Sequence, residues 1–296
     1  MGINGGTGIV GSGSVLGGSG ISVPKGGVAP FVGLLDTYPN AAAAYSVRRL
    51  SSTYTGALME VRRSSDNTTQ NIGYDANGDL DTTALLAFVG AGDGFVRTWY
   101  DQSGNTNNAT QTTASAQPKI ITSGAFTLEN GKPLISHIDG ATQLNTPTAG
   151  SATSWRFGVV SAPVGVISTL YSENPNDYVC IAHNGSGSTF VNSATLNNIY
   201  VNGLSIIATR DSFYDNLLSS GVLTLDIDDS LFSTINFGYT PATSVGMLNM
   251  QEMIFYSSNQ SGNKSGIETN INTYYSIYSP PSGIGTWAIG TTFVIQ

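Results

Sequence analysis

Short runs of alternating apolar and polar residues, separated by turn-forming residues, recur along most of this chain. Residues 95–100 form one such run, and the turn Ser103-Gly104-Asn105 follows it. Alternation has the two-residue period of a strand with one buried face, and Gly, Asn and Ser favour the turns that join strands. Further strand candidates are 57–63, 119–122, 133–138, 155–161, 165–171, 178–182, 188–192, 198–201, 204–209, 222–227, 232–237 and 250–257. Many short strands of this kind predict a β-sandwich.

Composition agrees with an all-β fold with a few short helices. Only 10% of the residues are charged, against about 25% in typical domains, and Ser, Thr and Asn carry the polarity instead. Residues 40–50, with Asn40 as N-cap before an Ala-rich stretch, predict one short helix, and residues 81–89 a second. Residues 265–278 begin with a capping-box pattern and predict a third. The apolar residues of this third segment share one helical face: Ile267, Ile271, Tyr274, Tyr275 and Tyr278.

Charge and reactive residues limit the classes of function. The net charge is −8, which argues against nucleic acid as a partner because phosphate binding needs a concentrated basic surface. Cys180 is the single cysteine, and the two histidines are His137 and His183, so we expect no disulfide framework, zinc site or other cofactor. No apolar run approaches the roughly 20 residues that span a bilayer, and no signal-peptide pattern occurs, so we expect neither a membrane partner nor ordinary secretion.

The sequence changes character near both ends. Residues 1–28 are Gly-rich, and we expect an N-terminal assembly arm held by neighbouring subunits, because Gly loses much entropy on ordering. The alternative is an arm that lies along its own domain. Residues 29–279 form the predicted sandwich. Residues 280–296 begin with Pro280-Pro281 and become apolar, which predicts an assembly tail that adds a strand to a neighbouring sheet.

Three motifs together resemble a known family. They are Tyr45-Ser-Val-Arg48-Arg49, Tyr54-Thr-Gly-Ala-Leu-Met-Glu-Val-Arg62-Arg63, and the block Trp99-Tyr100-Asp101-Gln102-Ser103-Gly104-Asn105. They resemble the catalytic domain of fungal α-L-arabinofuranosidases of glycoside hydrolase family fifty-four. Motifs in residues 130–144 and 251–275 resemble laminin-G-like and concanavalin-like modules, which occur in bacterial surface proteins and phage fibres. The resemblance covers residues 40–278 and implies a concanavalin A-like jelly roll flanked by extended arms.

The resemblance does not extend to the family's catalytic residues. A retaining glycosidase needs two carboxyl groups about 5 Å apart. The family's nucleophile is a Glu in a mid-domain strand, yet no Glu occurs between Glu173 and Glu252. Its acid is an Asp after an Ile-Gly-Gly turn, and the corresponding residues 235–240 contain none. The family's adjacent cysteine pair is also missing. We therefore expect no catalytic residues and no enzymatic activity.

The motif block has a structural interpretation. The carboxylate of Asp101 could be catalytic, or it could belong to a turn in which Asp, Ser and Asn side chains satisfy backbone N–H groups. The turn is preferred. The arginines at 48–49 and 62–63 are the expected partners of buried carboxylates such as Glu60 and Asp66, and Glu252 is expected to accept bonds from an Arg or a backbone N–H. The predicted structural residues are Trp99, Tyr100, Asp101, Gln102, Ser103, Gly104, Asn105, Arg62, Arg63 and Glu252.

Two further sets of residues suggest ligands. Asp75, Asn77, Asp79 and Asp81 alternate like the first ligands of a calcium loop, but Leu86 stands where that loop needs a bidentate Glu. A polar turn that caps the following helix is therefore preferred, and no bound metal is expected. Glycan sites combine an aromatic platform with amides in a shallow groove. The candidate platform residues, each with a core position as its alternative, are Tyr171, Tyr178, Tyr200, Tyr214 and Tyr239.

These features lead to one main hypothesis. We interpret the chain as a bacteriophage virion structural protein, a head fibre, head decoration or tail appendage assembled in the host cytoplasm. Its lectin-like body would contact host-surface polysaccharide, and its arms would bind other virion proteins and further copies of itself in a homo-oligomer such as a trimer. The alternative is a bacterial secreted or surface glycan-binding module, or a glycoside hydrolase related to arabinofuranosidases. Fold alone does not separate these functions.

Overall fold

The computed structural model describes residues 30–136, 142–147, 153–162, 167–174, 177–182, 195–228, 235–237 and 245–279. The chain divides after Pro30 into two units, and the description below concerns the second. The predicted arm (1–28) and tail (280–296) lie outside the described residues, so the proposed division into arm, body and tail stays a prediction.

The described residues are mostly strands, with short helices between them. The strands are β1 (Ala43–Ser46), β2 (Met59–Arg63), β3 (Thr69–Ile72), β4 (Gly94–Trp99), β5 (Ala109–Thr110), β6 (Lys119–Thr122), β7 (Ala125–Phe126), β8 (Leu128–Glu129), β9 (Lys132–Pro133), β10 (Leu144–Asn145), β11 (Thr153–Ser161), β12 (Ile167–Asn174), β13 (Asp177–Ala182), β14 (Thr195–Val201), β15 (Leu204–Ser205), β16 (Gly221–Asp228), β17 (Asn236–Phe237), β18 (Val245–Met247) and β19 (Asn249–Tyr256). The helices are α1 (Leu34–Thr37), α2 (Thr82–Val89), α3 (Arg210–Asn216) and α4 (Lys264–Tyr275), with one 3₁₀ turn at Ala114–Ala116. None of the described helices has the length and hydropathy needed to cross a bilayer.

Two large sheets organise these strands. The first has the order β1-β19-β11-β16-β14-β15, and all of its pairs are antiparallel. The second runs β13-β12-β17-β10-β5-β4-β2-β3, with β6, β7 and β18 attached beside this path. Because sequentially distant strands such as β1 and β19 are neighbours, the register couples the two ends of the body. The predicted all-β sandwich with a few short helices is confirmed.

Aromatic rings from the two sheets meet in the core. Tyr45 on β1 and Phe255 on β19 belong to the first sheet, and Trp99 on β4 and Phe237 on β17 belong to the second. The ring centroid of Tyr45 lies 5.6 Å from that of Trp99 and 5.5 Å from that of Phe237, within the range of favourable tilted and edge contacts. All four side chains are at most 1% exposed. Burial of these rings therefore holds the sheets face to face.

The predicted helix at residues 40–50 is wrong. Residues 43–46 form β1, which pairs with β19 in the register Ala43 to Phe255 through Ser46 to Glu252. All four β1 residues are buried, so both faces of the strand contact protein. Ala favours helix by only a fraction of a kcal/mol per residue, and this pairing outweighs that preference. Asn40 caps no helix and instead has φ +65°.

The C-terminal helix is confirmed, but its predicted cap is wrong. Helix α4 begins at Lys264 with Asn263 as N-cap, and no side chain caps it. Glu268 does not reach back to the helix start, because its carboxylate accepts bonds from Thr224 Oγ1 at 2.7 Å and Lys264 Nζ at 2.9 Å. The helix ends where Ser276 adopts φ +54°. Its buried apolar residues are Ile267, Ile271 and Tyr275, while Tyr274 and Tyr278 are half-buried.

The predicted strand at 204–209 is mostly wrong. Only Leu204–Ser205 pairs, and the unpredicted helix α3 follows, with the Thr209 hydroxyl accepting the N–H of Ser212 as its cap. The prediction at 133–138 is reduced to Lys132–Pro133 and to isolated bridges at Ile135 and Ser136. Residues 137–138, 188–192 and 232–234 lie outside the described residues. The remaining strand predictions match observed strands to within a few residues.

Candidate functional site

The carboxylate of Asp101 is the centre of a closed turn. It accepts hydrogen bonds from the N–H groups of Ala44 (2.8 Å), Ser103 (2.9 Å) and Asn107 (3.0 Å), and from the Ser103 hydroxyl (2.8 Å). Gly104 has φ +91°, which allows the chain to reverse there. Asp101 is only 5% exposed, so its acceptor capacity is used inside the protein. This geometry suits a structural role rather than proton transfer to a ligand.

The neighbouring amides of the block tie it to the first sheet. Gln102 accepts the Leu50 N–H at 2.8 Å and donates to the Arg48 carbonyl at 2.9 Å. Asn105 donates from Nδ2 to the Ala41 carbonyl at 3.0 Å. These bonds replace the regular pairing that the loop lacks. The block therefore fixes the chain on either side of β1.

The two aromatic residues of the block have different surroundings. Trp99 is buried, and its indole N–H donates to the Ser46 carbonyl at 3.2 Å. Tyr100 lies near the surface, where its hydroxyl donates to Asn71 Oδ1 at 2.8 Å. Trp99 thus belongs to the core, and Tyr100 links the end of β4 to β3 across the intervening strand β2.

Arg62 and Arg63 bind different partners. Arg62 donates to Gln117 Oε1 and Asn67 Oδ1, both at 2.7 Å, and no carboxylate among the described residues pairs with it. Arg63 forms an exposed ion pair with Asp66 at 2.6 Å. The predicted burial of Asp66 is therefore wrong, since its side chain is 47% exposed.

The ion-pair partner of Glu60 is not one of the four arginines, at 48–49 and 62–63, that the sequence suggested. Its carboxylate pairs with Arg97 Nη1 at 2.7 Å, because the two residues lie on adjacent strands β2 and β4. Sequence spacing alone does not reveal such a cross-strand partner.

A second carboxylate, Glu252, lies in a fully buried network. Its Oε2 accepts Arg48 Nε at 2.7 Å and its Oε1 accepts Arg48 Nη2 at 3.0 Å, a bidentate pair. Ser46 Oγ donates at 2.7 Å, and the Tyr275 hydroxyl lies at 3.2 Å. Burial alone would lower the pKa of Arg48, but the carboxylate of Glu252 raises it above its usual value. The network joins β1, β19 and α4.

The residues that alternate like calcium ligands form a turn. The Asp75 carboxylate accepts the N–H groups of Asn77 at 2.8 Å and Asp79 at 3.0 Å. Asp79 pairs with Lys132 at 3.2 Å, and Asp81 caps helix α2 by accepting the Ala84 N–H at 2.9 Å. No cluster of three metal-binding side chains occurs among the described residues. These side chains are therefore engaged in local structure.

The structure describes the side chains of only two of the five tyrosines that are candidates for a glycan-binding platform. The prediction is wrong for Tyr214, which is 3% exposed inside α3 and has no ring face available to a sugar. Tyr200 is half-buried, with Lys264 Nζ 3.9 Å from its ring centroid. Tyr171 and Tyr178 lie on β12 and β13, but their side chains are outside the described residues, as is all of Tyr239. The glycan role of these four stays a prediction.

A cleft that the sequence did not single out opens beside Arg49. This Arg49 cleft has a volume of about 360 Å³. Polar and aromatic side chains from four separate segments line it: Phe31, Arg48, Arg49, Asn77, Asn270 and Tyr274. Burial, and then a hydrogen bond with Asp79, raises the pKa of Tyr274 well above its usual value, so its hydroxyl stays protonated. The cleft offers rings, amides and cations, and no Asp or Glu is among its lining residues.

Arg49 itself is held rigidly at the wall of this cleft. Its Nε donates to the Tyr54 carbonyl at 2.9 Å and its Nη2 to the Ser52 carbonyl. The guanidinium carbon lies 4.9 Å from the Phe31 ring centroid and 4.7 Å from that of Tyr74, in the range of cation–π contacts. No salt bridge joins Arg49 to any carboxylate among the described residues. Its charge is therefore oriented but not neutralised.

A second cleft lies beside the Asp101 turn. This Tyr54 cleft has a volume of about 410 Å³, and its wall is uncharged and rich in hydroxyls and amides: Asn40, Ser51, Thr53, Tyr54, Ser103 and Asn105. Burial, followed by the charge of Asp101, raises the pKa of Tyr54 to about 12. Asp36 lies behind Ser51, and burial works against its ionised form. The N–H groups of Gly33 and Ser52 and the Ser51 hydroxyl outweigh that effect and hold the pKa of Asp36 below its usual value.

The comparisons with known proteins agree with this fold. The family model described as "Alpha-L-arabinofuranosidase B, catalytic" matches residues 36–131, about a third of the chain, and this stretch contains the Asp101 turn. No curated protein sequence gives a significant match. Two similar solved structures are a GH54 α-L-arabinofuranosidase mutant soaked with 4-nitrophenyl α-L-arabinofuranoside, and an arabinofuranosidase complexed with arabinofuranosyl-α-1,2-xylobiose.

The structural likeness is real but distant. The first of these structures is 19% identical with a TM-score of 0.51, and 82% of this chain is aligned to 65% of that one. The second is 17% identical with a TM-score of 0.52, and 78% of this chain is aligned to 62% of that one. The chain thus spans less than two thirds of either structure. Identity at this level shows the fold alone, and it carries no information on a virion. The chain has the β-sandwich fold of GH54 α-L-arabinofuranosidase catalytic domains.

Proposed function

We propose that this chain is a glycan-binding β-sandwich module that does not hydrolyse its ligand. One observation carries the proposal. The Arg49 and Tyr54 clefts are lined by hydroxyls, amides, aromatic rings and arginines, with no Asp or Glu in either lining. Hydroxyl and amide groups recognise sugars, whereas glycoside hydrolysis requires two carboxyl groups in the same site.

Three buried carboxylates, those of Glu252, Glu268 and Asp101, support this proposal because each is bound by groups inside the fold. Glu252 is wholly buried and bound by Arg48, and Glu268 is bound by Thr224 and Lys264. Asp101 accepts four internal hydrogen bonds. A general acid must reach its substrate and exchange a proton with it, and these three groups are committed to partners inside the fold.

A direct test combines binding and hydrolysis on the same sample. The purified chain is screened against an array of plant and bacterial glycans and then incubated with 4-nitrophenyl α-L-arabinofuranoside. We expect saturable binding to a subset of glycans and no release of 4-nitrophenol above the rate without protein. Release that persists after repurification and scales with protein concentration would overturn the non-hydrolytic proposal. Absence of any glycan binding would overturn the binding proposal.

A second proposal concerns the setting of this module. The Gly-rich residues 1–28 and the apolar residues 280–296 are the observation that favours a virion protein, in which both segments bind neighbouring subunits and other particle proteins. Light scattering on the full chain tests it, and we expect a homo-oligomer such as a trimer. A stable monomer at micromolar concentration favours a secreted or surface glycan-binding module instead.

A further inference from the structure

The charge balance of the Arg49 cleft points to its ligand. The whole chain carries a net charge of −8, yet the lining of this cleft contains two arginines and no carboxylate. Arg48 is neutralised by Glu252 at 2.7 Å. Arg49 has no such partner among the described residues, so the wall of the cleft carries one uncompensated positive charge.

The guanidinium of Arg49 is prepared for an anion. Its five N–H groups form a planar fork, and the hydrogen bonds within the described residues use two of them, on Tyr54 and Ser52. The Phe31 and Tyr74 rings lie on the guanidinium and limit its rotation. A ligand carboxylate would therefore meet an oriented donor and would not need to order a flexible side chain.

The surroundings of Arg49 favour one negative charge on a polyhydroxylated molecule. Asn77, Asn270 and Thr273 line the same cleft and can bond sugar hydroxyls. The carboxylate of the exposed Asp75 bonds the N–H of Asn77 at 2.8 Å, which adds a negative charge beside this lining residue. A phosphate-rich ligand would need several uncompensated cations, and the cleft has one.

We propose that the Arg49 cleft binds a carboxylated saccharide, a uronic-acid residue, with the sugar carboxylate on the Arg49 guanidinium and the ring hydroxyls on Asn77, Asn270 and Thr273. This inference rests on the proposed glycan-binding function and adds the class of sugar. Because Arg49 is partly exposed, its contact with the carboxylate is screened by salt, and the affinity falls as ionic strength rises.

The test uses the full chain, trigalacturonate and its trimethyl ester in isothermal titration calorimetry. The ester keeps every ring hydroxyl and removes the charges. A hydrogen bond to a charged group contributes about 1.5–3 kcal/mol, so we expect the ester to bind about tenfold or more weakly than the acid. The variant R49Q should lose the same factor for the acid and little for the ester. The variant R97Q is the matched control, because it changes the net charge equally at a site paired with Glu60, and it should bind like the native chain.

Each outcome decides the inference. Equal affinity for acid and ester overturns it without any mutation, so a folding defect in R49Q does not block the test. Equal losses in R49Q and R97Q also overturn it, because they would show a nonspecific charge effect. Inorganic phosphate that competes as well as trigalacturonate would overturn the saccharide part. Binding of neutral glycans alone overturns this inference and leaves the proposed function standing, whereas binding of no glycan at all removes both.

Discussion

The buried network around Glu252 and the Arg49 cleft meet at two consecutive residues, Arg48 and Arg49. The head group of Arg48 donates to Glu252 at 2.7 Å and to Asn270 at 3.0 Å, although part of the residue lines the cleft. Within the described part of the chain, Arg49 contacts two backbone carbonyls and two aromatic rings. The same type of side chain thus has two physical roles. Arg48 neutralises a carboxylate inside the fold, and Arg49 leaves a positive charge available at the surface.

The difference shows where stability and recognition reside. A buried ion pair contributes little net stability against an apolar replacement, but breaking it leaves an uncompensated charge and is costly. A half-exposed arginine with no acidic partner contributes little to folding, so its orientation by Phe31, Tyr74 and Tyr54 is better explained by ligand binding. The predictions below test this separation.

The largest expected effect is that of Glu252→Gln. The change leaves the Arg48 charge buried without its carboxylate, and we expect a loss of about 3–5 kcal/mol in the free energy of unfolding. Urea denaturation followed by tryptophan fluorescence measures it. Asp66→Asn is the matched control, because it breaks an exposed pair with Arg63 and should change the free energy of unfolding little. A similar small loss in both variants would show that the network does not hold β1, β19 and α4 together.

The strand pattern of the sandwich could be predicted from the sequence, and the residue partners could not. Alternation located β4 and β16 because a two-residue period depends only on which face is buried. It failed at residues 43–46, where both faces are buried and the Ala-rich pattern mimics a helix. It also failed at α3, which follows directly after an edge strand.

The candidate site shows the same limit. The Asp101 block was recognisable because Asp, Ser, Gly and Asn are typical of a turn in any fold. The roles of Arg48 and Arg49 depend on Glu252, Asn270 and Phe31, which lie in three other segments of the chain, and the β1–β19 register brings Glu252 beside β1. The Arg48-Arg49 pair is visible in the sequence, but the helix predicted for residues 40–50 gave no reason to assign the two side chains different surroundings.

The next prediction concerns the wall of the cleft at Gly78. This residue has φ +86°, and a Cβ there would lie 2.5 Å from Phe31 Cε2. Gly78→Ala therefore adds a left-handed conformational cost of about 1–2 kcal/mol and displaces the Phe31 ring from Arg49, which adds about 0.5–1 kcal/mol.

Gly131→Ala separates these two costs. Gly131 has φ +72°, and a Cβ there meets nothing within 4 Å, so only the conformational cost applies. We expect the larger destabilisation in Gly78→Ala by thermal or urea unfolding, together with weaker binding of trigalacturonate. Equal stability and equal binding in the two variants would mean that Phe31 does not set the position of Arg49.

A smaller effect is expected for Arg49→Gln on stability alone. The variant loses two hydrogen bonds to backbone carbonyls and the ring contacts but leaves no buried charge unpaired, so we expect a loss of about 1 kcal/mol in the free energy of unfolding. Arg48→Gln, one residue earlier, leaves the Glu252 carboxylate buried and should cost about 3–5 kcal/mol. The two variants differ only in position, so urea midpoints compare them directly. A loss in Arg49→Gln as large as that in Arg48→Gln would assign Arg49 to the folding of the body and weaken its role in recognition.

The smallest effect is expected at Tyr54, whose carbonyl anchors Arg49 and whose ring borders the neighbouring cleft. Its pKa is raised to about 12 in the folded chain by burial, and then by the charge of Asp101, against about 10 in an unfolded chain. The unfolded state therefore loses this proton first, so the stabilisation is complete below pH 10 and disappears as the pH rises to 12. Tyr54→Phe removes this group and should flatten the decline of unfolding free energy between pH 10 and 12, although several other tyrosines still contribute to it. Parallel slopes in the native chain and the variant would show that Tyr54 ionises as freely as an exposed tyrosine, and that its hydroxyl, which donates to the Ala57 carbonyl at 2.5 Å, does not fix the wall of the Tyr54 cleft.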